Sequence, residues 1–159
     1  MVYIRISIRN PRTNNEIHGI LAKVNTGALT LLSEKYALLR IPADIATKLN
    51  LNIEDSEEVE MMDFLRRPTK IRILREKILV KVDIPDRNTE YVESMVFIGP
   101  GAPLITYPLS ARLNIEISPP RNAWKLQDED RWRPSEKPTP RNNTLRIFGG
   151  YRTLDRWES

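Results

Sequence analysis

Residues 21–28 read Leu21-Ala22-Lys23-Val24-Asn25-Thr26-Gly27-Ala28, an apolar strand running into a tight Thr-Gly turn. One polar side chain, Asn25, stands just ahead of the turn. Asn, Thr and Gly each favour such a bend on their own account. Glycine meets no Cβ penalty in left-handed backbone, and short polar side chains can hydrogen-bond the local main chain. A purely structural turn is therefore one reading, and the flanking sequence supplies the other.

Upstream, Val2, Ile4, Ile6 and Ile8 alternate with Tyr3, Arg5, Ser7 and Arg9, which predicts a half-buried strand. Residues 10–15 are rich in turn formers, and residues 16–24 return as a second strand, so the hairpin delivers Asn25 at its far end. Downstream, residues 29–32 make a short apolar strand and residues 33–36 a loop. Residues 38–41 lead into Pro42, which opens a short helix over 42–49 with Ile45, Ala46 and Leu49 on its buried stripe.

Residues 57–62 and 69–74 are extended and joined by Asp63-Phe64-Leu65-Arg66-Arg67-Pro68. A hairpin tip that carries Phe and Leu either packs back on the body or acts as a lid over a groove. Alternation resumes over 77–84, residues 91–98 return as its partner strand after a turn, Leu104-Ile105-Thr106 follows a Gly/Pro-rich break, and residues 108–113 suggest a second short helix before a last strand at 115–117. The pattern is all-β with one or two short helices. Beyond Ser118 the texture changes: residues 119–159 hold five of the twelve prolines and all three tryptophans. A domain of residues 1–118 followed by a Pro/Trp/Arg-rich extension of 119–159 is the expected division. Trp124, Trp132, Trp157 and the run 144–148 argue against full disorder of that extension.

Composition narrows the chemistry. At 159 residues the chain can bury one core, and its hydrophobic and charged fractions of 40% and 29% are those of a soluble globular protein. It contains no cysteine, which excludes disulfides, thiolate metal sites and a cysteine nucleophile. The single histidine, His18, argues against a His-based triad or a His-rich metal site. Carboxylates are left as the tool for hydrolysis. The net charge of +4 is mild and does not demand nucleic acid. No bilayer-spanning run or secretory leader is read at the N-terminus, so a cytoplasmic location is expected.

With aspartate at position 25 the words would be V-D-T-G-A, and in this context residues 21–28 resemble the active-site turn of the retropepsin-like aspartic proteases. Positions 26–28 match that signature letter for letter, whereas Asn25 departs from it. The family's second landmark is an apolar pair and a glycine just before a C-terminal helix. Leu104-Ile105 occupies its place, with Thr106 where glycine is usual. The resemblance covers residues 4–117 and implies a closed half-barrel with a flap hairpin, assembled as a homodimer in which each chain contributes one position-25 side chain. It further implies that Thr26 ties the two turns together, that Gly27 lets a peptide approach, and that Ala28 completes the turn. Leu29, Phe64, Leu65, Leu104 and Ile105 are the residues expected to meet the substrate. No metal or cofactor is implied.

An amide at position 25 neither takes a proton from water nor donates an acid's proton, so little or no peptidase activity is expected. The chain is then an inactivated aspartic endopeptidase subunit, or a relative that binds peptide without cutting it. A further alternative is a basic β-domain whose Trp/Arg tail binds nucleic acid or protein. Acids interspersed along that tail argue against nucleic acid as the partner.

Overall fold

The computed structural model describes residues 1–25, 37–62, 65 and 67–137. The expected strand at 29–32, the loop at 33–36, the run 144–148 and Trp157 lie outside these residues.

The first hairpin forms as its alternation requires. Strands β1 (Val2–Arg9) and β2 (Glu16–Val24) pair antiparallel with Val2 opposite Val24, so Asn25 follows directly on the end of β2. The turn between them closes through Asn10 N–H donating to Asn15 O at 2.9 Å, with Asn14 left-handed at φ 64°. Register slips between Ile6 and Ile8, where His18 and Gly19 together oppose Ser7. Gly19 takes the positive φ, 68°, that such a bulge requires.

Strand β3 (Leu38–Ile41) leads to helix α1 (Ala43–Lys48), with Pro42 as the N-cap rather than inside the helix. Strands β4 (Ser56–Met62) and β5 (Pro68–Leu74) form the long hairpin, in full register from Ser56↔Leu74 to Met62↔Pro68. After them come β6 (Ile78–Val82), β7 (Val92–Ile98), the two-residue β8 (Leu104–Ile105) and helix α2 (Tyr107–Arg112).

Strands β3, β8, β2, β1, β6 and β7 are neighbours in that order, and β3 pairs back onto β7, closing a six-strand barrel. Closure removes exposed strand edges within the ring. The β4–β5 hairpin hangs from β7, which it meets at Ile73↔Phe97. Its outer strand, β4, carries Glu57, Glu58 and Glu60, and charge of this kind blunts a free edge.

The barrel interior holds Ile4, Ile6, Ile8, Leu39, Ile41, Val80, Val96 and Ile105, all inaccessible to solvent. A smaller apolar cluster of Leu38, Ile73 and Phe97 sits on the other face of the sheet, with Val59, Ile71 and Met95 packed on it. The half-buried reading of β1 needs correction. Tyr3 and Ser7, on its supposed polar face, are 8% and 0% exposed. The cause is tertiary: β1 lies between β2 and β6, and residues 135–136 fold over its start, Tyr3 N–H donating to Ser135 Oγ and Glu136 N–H to Tyr3 O.

Residue 118 falls inside a second, three-stranded sheet. Strand β9 (Ile115–Ser118) pairs with β10 (Ala123–Leu126), which pairs with β11 (Arg133–Pro134). A single 3-10 turn at Pro119–Arg121 and left-handed Asn122, at φ 50°, reverse the chain between β9 and β10. Trp124 and Leu126 join the main core at 2% and 4% exposure. A boundary at 118 would cut this sheet and remove both side chains from the core.

Candidate active site

The end of β2 is gripped from the side by β8. Lys23 pairs with Leu104 and Val24 with Ile105 in a short parallel ladder. Lys23 N–H donates to Pro103 O at 2.8 Å, and Asn25 N–H donates to Ile105 O at 2.9 Å. On its far side β8 pairs antiparallel with β3, Leu39 opposite Ile105 and Arg40 opposite Leu104. Two stretches some eighty residues apart in sequence, 21–25 and 104–106, thus share one ladder.

Thr106 locks this arrangement. Its Oγ1 donates to Leu38 O at 2.9 Å and accepts from Leu38 N–H at 3.1 Å, while its own N–H also donates to Leu38 O. The residue is buried, and its φ of −77° is open to any side chain. Nothing in the backbone therefore asks for glycine at position 106. The hydroxyl adds a strand-to-strand tie that glycine could not make.

Strand alternation sorts the surrounding residues by face. Val24 and Ile105 point into the barrel, and Ile105, fully buried, backs the site instead of lining a groove. Lys23, Leu104 and Arg40 share the outer face, on which continuing alternation also sets Asn25. Leu38, Met95, Phe97 and Ile73 extend that face toward the hairpin through the pairs Leu38↔Met95, Arg40↔Phe97 and Ile73↔Phe97. Of the residues expected to meet a ligand, Leu104 is on this face and 7% exposed, and Leu65 is 55% exposed at the hairpin tip. Thr26, Gly27, Ala28, Leu29 and Phe64 lie outside the described residues.

No protein-family model and no curated protein matches this chain.

A second polar constellation competes for attention. Ser7 Oγ lies 3.0 Å from His18 Nδ1 and donates to Asp83 Oδ2 at 2.9 Å, while His18 Nε2 is 3.8 Å from Glu16. Ser, His and a carboxylate are the ingredients of a nucleophilic triad. Here Ser7 is wholly buried, and no substrate carbonyl can reach its oxygen. Asp83 Oδ2 also accepts from Gly19 N–H at 2.8 Å, so the group satisfies the bulge between β1 and β2. It is a structural clamp built on a hydroxyl. Among the described residues no group of three or more His, Asp or Glu side chains is placed to hold a metal ion.

Beside the second sheet, Arg133 forks onto two carboxylates, Asp86 at 2.9 and 3.0 Å and Glu129 at 2.6 and 3.0 Å. Hydrogen bonds from Arg133, with help from Leu126 N–H and Arg87, hold the Glu129 carboxyl down at about 2. Sequence reading gave these residues no role, because their partners come together only once β10 folds back. Residues Leu38, Arg40 and Phe97 were also missed. Only the strand pairings reveal that they share the neighbourhood of Asn25.

Proposed function

We propose that this chain is one subunit of a retropepsin-like aspartic endopeptidase homodimer whose acid position is filled by Asn25, leaving a peptide-binding groove without peptidase chemistry. The observation that carries the reading is the hydrogen bond from Asn25 N–H to Ile105 O, which sets the end of the Val-Asn strand beside the Leu-Ile pair. The same two-residue strand bridges β2 and β3, so the end that carries Asn25 is held within the closed ring. The six-strand barrel and the long hairpin attached to it are further support.

With aspartate at position 25 in both subunits, two carboxyls about 3 Å apart could not both ionise, and one would keep its proton. The ionised partner would take a proton from a shared water, which would attack the peptide carbonyl. The protonated partner would hydrogen-bond the carbonyl oxygen and later protonate the leaving nitrogen. Substrate would lie extended between the hairpin and the outer face of β8, with Leu104 and Leu65 supplying apolar contact. Asn25 removes both the acid and the base, and general acid–base catalysis is typically worth about 10²- to 10⁴-fold.

The rival reading, a tail that stacks on nucleic-acid bases, draws less support. Trp124 is buried, and the Trp132 ring is occupied by Arg121 and Lys125 at 5.5 and 5.4 Å. Replacing Asn25 by Asp and digesting a peptide library at acidic pH tests the proposal. Cleavage by Asn25→Asp that a statine-type inhibitor blocks, and none by the chain as written, is the expected result, alongside a dimer in sedimentation at micromolar concentration. A monomer, or an aspartate variant that cuts nothing, would overturn the endopeptidase assignment.

A further inference from the structure

Where the hairpin leaves the barrel, β5 and β7 diverge around a pocket of about 450 Å³. Among the described residues its walls include Ile71, Phe97 and Pro100, together with three cations, Arg40, Lys70 and Arg72, and no carboxylate. Glu58 and Glu60 stand opposite Arg72 and Lys70 in the hairpin ladder but do not line the pocket. Arg72 turns back to Ser56, donating to its hydroxyl at 2.9 Å.

Arg40 is the anomaly. Its Nη2 donates to Ala102 O at 3.1 Å, its Nε is buried without an acceptor, and no carboxylate lies in ion-pair range among the described residues. Burial alone lowers the affinity of this guanidinium for its proton. A half-buried cation without a counter-charge is costly unless something supplies one. Its path is also made to measure: a Cβ on Gly99 would sit 2.7 Å from Arg40 Cδ, so glycine there lets the side chain cross the end of β7. Beside the pocket, β5 meets β7 through the one pair Ile73↔Phe97, leaving residues 70–72 with no strand partner on that side among the described residues.

We propose that this pocket recognises a carboxylate side chain next to an apolar residue in an extended peptide, with Arg40 as the anchor and the free side of β5 as the backbone guide. The peptide as ligand rests on the function proposed above, whereas the preference for an acid follows from the pocket itself. Arg40 lies two strands from β2, about 10 Å away at ordinary strand spacing. A peptide crossing the outer face past Asn25 would therefore reach it within a few residues.

The test is fluorescence anisotropy at low salt, using the full chain and two fluorescein-labelled octapeptides that differ only in a central Glu-Leu or Gln-Leu. Charge-assisted hydrogen bonds are about twice as strong as neutral ones, and the Glu peptide is expected to bind at least about tenfold more tightly. Arg40→Gln should abolish the difference, and so should Gly99→Ala, which displaces Arg40 without changing charge. Should either variant fail to fold, Lys70→Gln with Arg72→Gln, both at exposed positions, is expected to reduce the preference several-fold. Equal binding of the two peptides, binding of neither, or an undiminished preference in a folded Arg40→Gln or in the Lys70/Arg72 pair would overturn the proposal. Octanoate bound at Arg40 while both peptides fail would assign the pocket to small carboxylates and overturn it too. The readout requires no cleavage, so a chain whose Asn25→Asp form cuts nothing can still keep its Glu preference, and the two proposals fail separately.

Discussion

Asn25 differs from an aspartate by an NH₂ group in place of one oxygen, a change that keeps shape and removes titration. Its backbone role survives the exchange, because the bond to Ile105 O comes from the main chain. Thr106 is the other departure from the expected pattern, and here the structure supplies a reason. Its hydroxyl joins β3 to the start of α2 through both polar groups of Leu38, in a place water does not reach. Thr106→Gly, which would bring position 106 to the letter usual in retropepsin-like proteases, is therefore expected to destabilise the fold. The Leu38 carbonyl would keep the main-chain N–H of residue 106, but the buried Leu38 N–H would lose its acceptor. Leaving such a group unpaired costs about 1–3 kcal/mol, and a lowered urea midpoint with unchanged slope would register it. An unaltered midpoint would mean that the hydroxyl ties nothing together.

Among the elements, β10 and β11 matter more than their composition suggested. Their attachment combines apolar burial of Trp124 with a charged seam of Arg133, Glu129, Asp86 and Arg87. Glu129 titrates at about 2 in the fold, against an ordinary value of 4.5, chiefly because Arg133 donates to it. A depressed carboxylate stabilises above its unfolded pKa, and that contribution drains away as pH falls from about 4.5 toward 2. Glu129→Gln should therefore lose stability at pH 7 and show a flatter decline over the same window, read from thermal midpoints at successive pH values. Parallel curves for the two proteins would remove Glu129 as the source of the acid limb.

For the molecule as a whole, the barrel and the second sheet share one core. Trp124 and Leu126 pack with the barrel interior, and residues 135–136 bond to the backbone of Tyr3. A chain ending at residue 118 would expose that core and leave two groups of Tyr3 unpaired. Compared with one ending at residue 137, it is expected to lose cooperative thermal unfolding and to bind a hydrophobic dye. A sharp calorimetric transition for the shorter chain would show that the barrel stands alone. No described helix is long and apolar enough to cross a membrane.

Local chemistry was legible from the residues themselves. Period-two alternation marked β1 and β6, the turns after them marked β2 and β7 as returning strands, Asn and Pro marked the first turn, and Pro42 ahead of Ile45, Ala46 and Leu49 marked α1, because each signal is settled within a few bonds of the backbone. Long-range pairing was not legible. Two residues are too few for β8 to show a period, so its place between β2 and β3 follows from hydrogen bonds that exist only after the chain has closed on itself. The same holds for Ser7, polar by type yet buried, since His18 and Asp83 reach it from 11 and 76 residues away. It holds again for Trp124, whose core contacts come from strands laid down much earlier. Side-chain order sets which face of a strand is apolar, but closure of the barrel decides which of those faces water can still reach.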